Sequence, residues 1–255
     1  MRVIGIVSGK GGVGKTTSAI NLGAVLSSRF NKNVTVVDCN ITTPHLGLSL
    51  GLVHDSVNTL NESLKDKRNT QDIEHNYSSS FSIVPSSLTL QDLKSLDLDR
   101  LNDVVRELKN KDIVLLDIAP GLGREAISAI KACDQLVFIS TPYLVSLSDI
   151  LRTKQVAKEL NKEIIGVVVN MKHEKHSELT ESQIENFTQL PVLGTINYDK
   201  DILASLISKQ PLVFYNERSK TAKEYTKIAG HLLGMSYRTR ENMLAKLINF
   251  ISGKF

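Results

Sequence analysis

Short apolar runs alternate with amphipathic stretches along most of the chain. Val3 to Val7 is apolar and ends at Ser8-Gly9. Val34 to Val37, Phe81 to Val84, Ile113 to Leu116, Gln135 to Ser140, Ile164 to Val169 and Val192 to Ile196 repeat the pattern. Runs such as VTVV, IVLL and IIGVVV lack polar alternation. A strand covered on both faces, as in a parallel sheet, needs that character. Between the runs, Lys15 to Arg29, Glu125 to Cys133 and Leu147 to Leu160 place apolar residues at helical spacing. This alternation predicts a three-layer α/β fold, a mostly parallel twisted sheet flanked by helices. Two polar stretches, Lys65 to Ser80 and Lys172 to Glu178, read as excursions or loops. Neither internal repeats nor a Pro- or Gly-rich linker divides the chain.

The composition narrows the class. A chain of 255 residues with 41% hydrophobic and 23% charged residues is globular and suits one large α/β domain. Cys39 and Cys133 are too few for a disulfide framework, which favours a reducing compartment. No apolar run approaches the ~18 residues of a membrane span. The start, MRVIGIVSGKGG, turns glycine-rich at once and does not read as a signal peptide. With no Trp and 5% aromatics, the chain offers little for base stacking. The net charge is +4, of which +3 falls in residues 238–255. Residues 1–237 therefore form a nearly neutral body, which argues against nucleic acid as a partner. The tail is basic, and its Met243, Leu244, Leu247, Ile248, Phe250 and Ile251 share an arc of about 160° on a helical wheel. Such a helix suits an anionic membrane surface, the alternative being a terminal helix packed on its own domain.

The candidate chemistry begins after the first strand. Gly9-Lys10-Gly11-Gly12-Val13-Gly14-Lys15-Thr16 fits G-x-x-x-x-G-K-[ST], between a predicted strand and a predicted helix. Glycines let the backbone N–H groups turn inward around a polyphosphate, and the helix adds its positive end. Lys15 is expected on the β and γ phosphates and the Thr16 hydroxyl on Mg²⁺.

Lys10 to Thr17, KGGVGKTT, resembles the deviant Walker A loop of the MinD/ParA family of P-loop NTPases. The resemblance runs in order over residues 1 to about 235. It implies that Gly11, Gly12, Val13, Gly14, Lys15, Thr16 and Thr17 hold ATP. It implies that Lys10 reaches the partner's phosphates in an ATP-dependent homodimer. Asp38, ending Val36-Val37-Asp38, matches a first-switch residue near Mg²⁺. Asp117, followed by Ile118-Ala119-Pro120-Gly121-Leu122-Gly123, matches the Walker B strand and second switch. Asn170 matches an adenine-reading Asn, and Val192 to Asp199, with Asn197 and Asp199, the adenine loop. The Pro-Gly-Leu-Gly-Arg-Glu-Ala string and the Asp149 to Leu160 helix look most like archaeal MinD-type proteins. The implied activity is slow ATP hydrolysis with Mg²⁺. The implied setting is cytoplasmic, with reversible attachment to the inner face of the membrane, a protein effector, and a role in spatial positioning.

The sequence departs from the family pattern twice. The family has Asp-x-Asp at the first switch, where this chain has Asp38-Cys39-Asn40. An amide orients water but takes no proton, so Asn40 points to slow hydrolysis. Asn197 stands where the adenine loop usually has Pro. His173-Glu174-Lys175-His176 lacks a metal-ligand spacing, and its lysines oppose a cation, so it reads as a solvated loop. His45 and His54 near the first switch read as structural or partner-facing. Three other functions compete: a ParA-like partition ATPase on DNA, a metal-cluster carrier, and a weakly hydrolysing ATP-binding module. The carrier needs paired cysteines, which the spacing of Cys39 and Cys133 does not offer.

Overall fold

The computed structural model describes residues 1–52, 58–65, 69–173, 175 and 177–235. The basic tail, 238–255, lies outside the described residues, as do His54, Glu174 and His176. From β1 (Arg2–Val7) the chain enters α1 (Lys15–Phe30) and then β2 (Val34–Cys39). Short helices α2 (Leu46–Leu50) and α3 (Leu60–Leu64) precede the hairpin β3 (His75–Ser78) and β4 (Phe81–Val84). Next come α4 (Leu101–Glu107), β5 (Ile113–Ile118), α5 (Arg124–Ala132), β6 (Gln135–Ser140) and α6 (Leu144–Glu159). The remainder is β7 (Glu163–Lys172), α7 (Glu181–Thr188), β8 (Val192–Asn197), α8 (Lys200–Ile207), α9 (Leu212–Tyr215) and α10 (Lys220–Leu232).

The eight strands form one sheet in the order β3-β4-β2-β5-β1-β6-β7-β8, and only the β3–β4 pair is antiparallel. The expected mostly parallel sheet is present. Side chains alternate across it. Val3 and Val7 enter one core with α4, α5, α6 and α7. Ile4 and Ile6 enter the other with α1, α9 and α10. Both cores are apolar, which explains strand sequences without polar alternation. Crossovers leave β1 first toward β2 and β4 and later toward β6, β7 and β8. The loop after β1 therefore opens at the carboxyl ends of the central strands, where the strand order reverses and ligands of such sheets bind.

Two readings change. The stretch 65–80 is no mere excursion, since His75–Ser78 forms the antiparallel edge strand β3. Its exposure alternates, and only Tyr77 is a large apolar anchor, meeting Phe81 edge-on and stacking on Phe214. One anchor leaves too weak a periodic signal to read as a strand. The helix expected from Leu147 begins at Leu144, because its first turn leaves Leu144 and Val145 exposed and breaks the amphipathic pattern.

Candidate functional site

The loop 8–17 is held open by its neighbours. Gly14 has φ +88°, a left-handed conformation that glycine adopts without strain. A Cβ there would lie 2.2 Å from Nδ2 of Asn170. Gly9 faces α6 so closely that a Cβ would sit 1.9 Å from Cβ of Asp149. The Ser8 hydroxyl donates to the Lys10 carbonyl at 2.7 Å, tightening the turn. Helix α1 starts at Lys15 with no side-chain cap and no acidic residue in its first turn. By contrast, Ser219 caps α10 and Thr180 caps α7. Uncapped N–H groups and an uncompensated positive helix end are what a phosphate needs.

Three charged residues meet beneath the loop. Asp38 and Asp117 are register partners on β2 and β5, and both are buried. Lys15 is 8% exposed. Burial lowers its pKa, opposed by the nearby Asp117 and Asp38. Burial, then the neighbouring Asp117, pushes Asp38 up to about 8, against backbone N–H groups that favour its charge. Asp117 is raised mainly by burial, with Lys15 and the Thr16 hydroxyl opposing. Two desolvated carboxyls whose ionisation is held back by burial and by each other are a favourable setting for a further cation, which would stabilise their charged forms.

The two carboxylates differ in what they leave open. Asp38 Oδ2 accepts the N–H groups of His45 (3.1 Å) and Leu46 (3.0 Å), and Oδ1 accepts that of Asn40 (3.1 Å). Asp38 therefore holds the turn 40–46 in shape. Asp117 Oδ2 accepts the Thr16 hydroxyl, while its Oδ1 is buried without a hydrogen-bond partner. A buried acceptor without a partner is costly unless something fills it. Thr16 and Asp117 would hold Mg²⁺, with Asp38 beside them; the bound ion would neutralise charge developing on the phosphates.

Asn40 is 7% exposed, and its amide closes the turn, donating to the Thr43 carbonyl at 2.6 Å and accepting from the Thr43 hydroxyl at 3.0 Å. Lys10, Gly11 and Gly12 are exposed at the mouth. The other expected site residues gather on the far side of the loop. A cavity of about 210 Å³ is lined by Gly14, Thr17, Asn170, Asn197 and Asp199, together with Met171, Tyr198, Ile202, Leu203 and Leu206. Asn170 Nδ2 donates to the Val13 carbonyl at 2.8 Å, and its Oδ1 is buried with no partner. With its donor committed, the side chain presents only an acceptor, which fits an exocyclic amine such as that of adenine. Asp199 caps α8, accepting the Asp201 N–H at 2.9 Å. His173, read as part of a solvated loop, stacks on Tyr198 with ring centroids 4.8 Å apart.

Some cavity residues escape sequence reasoning. Ile202, Leu203 and Leu206 come from α8, whose only buried residue is Ser205. The signal was present: KDILASLI has an apolar face with no partner in the core. Ser86, which donates to the Asp38 carbonyl at 2.7 Å, carries no local signature.

Comparison with known proteins agrees with this geometry. A family model of the ParA group, described as NUBPL iron-transfer P-loop NTPase, matches residues 1–233. An uncharacterized ATP-binding protein of Methanocaldococcus jannaschii is 31% identical over 257 residues, spanning 98% of this chain and 97% of that one. The cell division ATPase MinD of Pyrococcus furiosus superposes with a TM-score of 0.87 at 29% identity, over 91% of this chain and 98% of that one. The septum site-determining protein MinD of Pyrococcus horikoshii, complexed with Mg-ADP, gives 0.86 at 28% identity, over 91% and 95%. A matching family model over nearly the whole described chain, on a sheet that opens a phosphate loop above two buried aspartates, places this protein in the ParA family of P-loop NTPases.

Proposed function

We propose that the protein is a MinD-like ATPase switch. It dimerises on ATP, attaches to the membrane through residues 238–255, recruits a protein effector and lets go after hydrolysis. The observation that carries the nucleotide part is the pair of buried, unpartnered acceptors, Asp117 Oδ1 and Asn170 Oδ1, at either end of one phosphate loop. Asp117 bonds Thr16 and Asn170 lines the base cavity, so a single Mg·ATP would satisfy both. Lys15 binds the terminal phosphates. Lys10, exposed beside them, supplies a cation to a partner's site where charge develops during in-line attack by water. No helix among the described residues is long and apolar enough to cross a membrane. Attachment therefore rests on the tail.

The iron-transfer role named in the family model finds little support here. Cys39 and Cys133 are both buried, and burial raises both thiols well above their usual range. A cluster carrier needs accessible thiolates. A DNA-binding role lacks a basic body.

Size-exclusion chromatography with a non-hydrolysable ATP analogue tests the switch. Wild type should elute as a dimer, and Lys10→Ala should stay a monomer while binding the analogue with near wild-type affinity. A Lys10→Ala variant that dimerises and hydrolyses like wild type removes Lys10 from the site.

Hydrolysis should be slow, and Asn40→Asp should raise it by about tenfold or more, since a positioned carboxylate is worth up to ~10²-fold. The substitution gives up the Nδ2 donation to Thr43 and so loosens the turn, releasing the new carboxylate toward water. Steady-state phosphate release measures it. An unchanged or lower rate would mean that position 40 serves the turn alone.

A further inference from the structure

A side-chain clasp outside the phosphate site joins the turn after Asp38 to the helix after Asp117. Glu125, in the first turn of α5, meets Thr42 with both carboxylate oxygens. Oε2 accepts the Thr42 N–H at 3.1 Å, and Oε1 accepts the Thr42 hydroxyl at 2.7 Å. The residues are 83 positions apart, so the contact is a tertiary one.

The segments joined this way leave paired strands at Asp38–Asp117 and Cys39–Ile118, and each has its own hydrogen bonds to the reaction centre. In the first switch, Asp38 gathers the N–H groups of Asn40, His45 and Leu46, and Asn40 closes on Thr43. In the second, Asp117 takes the Thr16 hydroxyl, and the Gly121 N–H donates to the Ser8 carbonyl at 3.3 Å. Between Asp117 and Glu125 lie Gly121 and Gly123, around which a Cβ would meet nothing within 4 Å. The arm is thus loosely packed, and its far end is fastened by Glu125. If Asp117 or Gly121 shifts as the γ-phosphate site fills, α5 and Thr42 move as one body. Without the clasp, the glycine arm absorbs the shift locally.

We infer that Glu125 is a positioning residue that couples the two switches by clasping Thr42, so that phosphate occupancy sensed at Asp117 is passed to the 40–46 turn. This deepens the ATPase reading and rests on it. The clasp is specific to a paired donor set: the Thr42 N–H cannot be mutated away, but its hydroxyl can.

A double-mutant cycle on Thr42→Val and Glu125→Ala tests the coupling, with Thr42→Ser and Glu125→Gln as conservative variants that keep the donor or acceptor. The first readout is amide hydrogen exchange across residues 41–46 in the nucleotide-free protein. The second is the split of kcat and KM for ATP, alongside calorimetric affinity for ATP. Each disruptive variant should speed exchange of 41–46 by about tenfold and lower kcat several-fold, with ATP affinity within about twofold. The double variant should be no worse than Glu125→Ala alone, and the conservative variants should recover most of the loss. A purely structural role of Glu125 at the start of α5 would lower the melting temperature and leave Thr42→Val silent. Additive effects, or unchanged exchange of 41–46, overturn the clasp while leaving the ATPase reading intact. Failure of wild type to bind ATP at all removes that reading, and this inference falls with it.

Discussion

Replacing Lys15 by alanine should abolish measurable ATP binding, with a loss of at least about 100-fold. The ammonium is nearly buried between Asp38 and Asp117, and burial already disfavours its charge. A bound polyphosphate supplies the counter-charge that water no longer supplies. Hydrogen bonds to charged groups contribute roughly 1.5–3 kcal/mol each, and a lysine reaching two phosphates makes more than one. The alanine variant also leaves two buried carboxylates facing each other without their cation. Their pKa values then rise further, and they hold a proton rather than unfold the sheet. Isothermal calorimetry with Mg·ATP measures the loss, and circular dichroism confirms that the fold survives. Unchanged affinity in a folded variant would mean that the loop is not the phosphate site.

Removing residues 240–255 should abolish binding to anionic liposomes while leaving ATP affinity and melting temperature as in the full chain. On the membrane reading, the apolar arc of Met243, Leu244, Leu247, Ile248, Phe250 and Ile251 would enter the acyl boundary, and the basic residues would add about 1 kcal/mol each near an anionic surface. A single tail of this kind would hold weakly. Two on the proposed ATP dimer would gain by effective concentration, on the order of 10²–10⁴-fold, so that attachment would follow nucleotide state. Sedimentation with and without a non-hydrolysable analogue reads both effects. If the truncated protein is insoluble or melts far lower, the tail is part of the core and the membrane reading falls. Retention on immobilised DNA in the same buffer would instead support the partition reading.

The strands were legible because they are buried on both faces and so carry uninterrupted apolar runs. The phosphate loop was legible because its function needs contiguous residues: glycines, a lysine and a threonine on one turn. Short elements were less so. Helices α2 and α3 have five residues each, too few for an amphipathic period to emerge. Strand β3 has one large apolar anchor at an edge. Helix α8 has a plain apolar face that lines a cavity rather than a core.

Site roles separated along the same line. By the family resemblance Asn40 reads as a water-orienting amide, but tertiary structure gives its amide to Thr43. Asp38 reads as a carboxylate near Mg²⁺, and the fold also makes it the anchor of the following turn.

The sequence by itself determined the sheet-and-helix alternation, the phosphate loop and its lysines, the two strand-end aspartates and the charge contrast between body and tail. Each depends on residues adjacent in the chain or on a short period. Only the tertiary structure decided which acceptors are left without partners and which segments are fastened together. Asn170 meets Val13 across 157 positions, and Glu125 meets Thr42 across 83. No local pattern pairs residues at such separations. They meet because the parallel sheet brings strand ends from distant parts of the chain to one edge, where the packing of each loop is set by its neighbours.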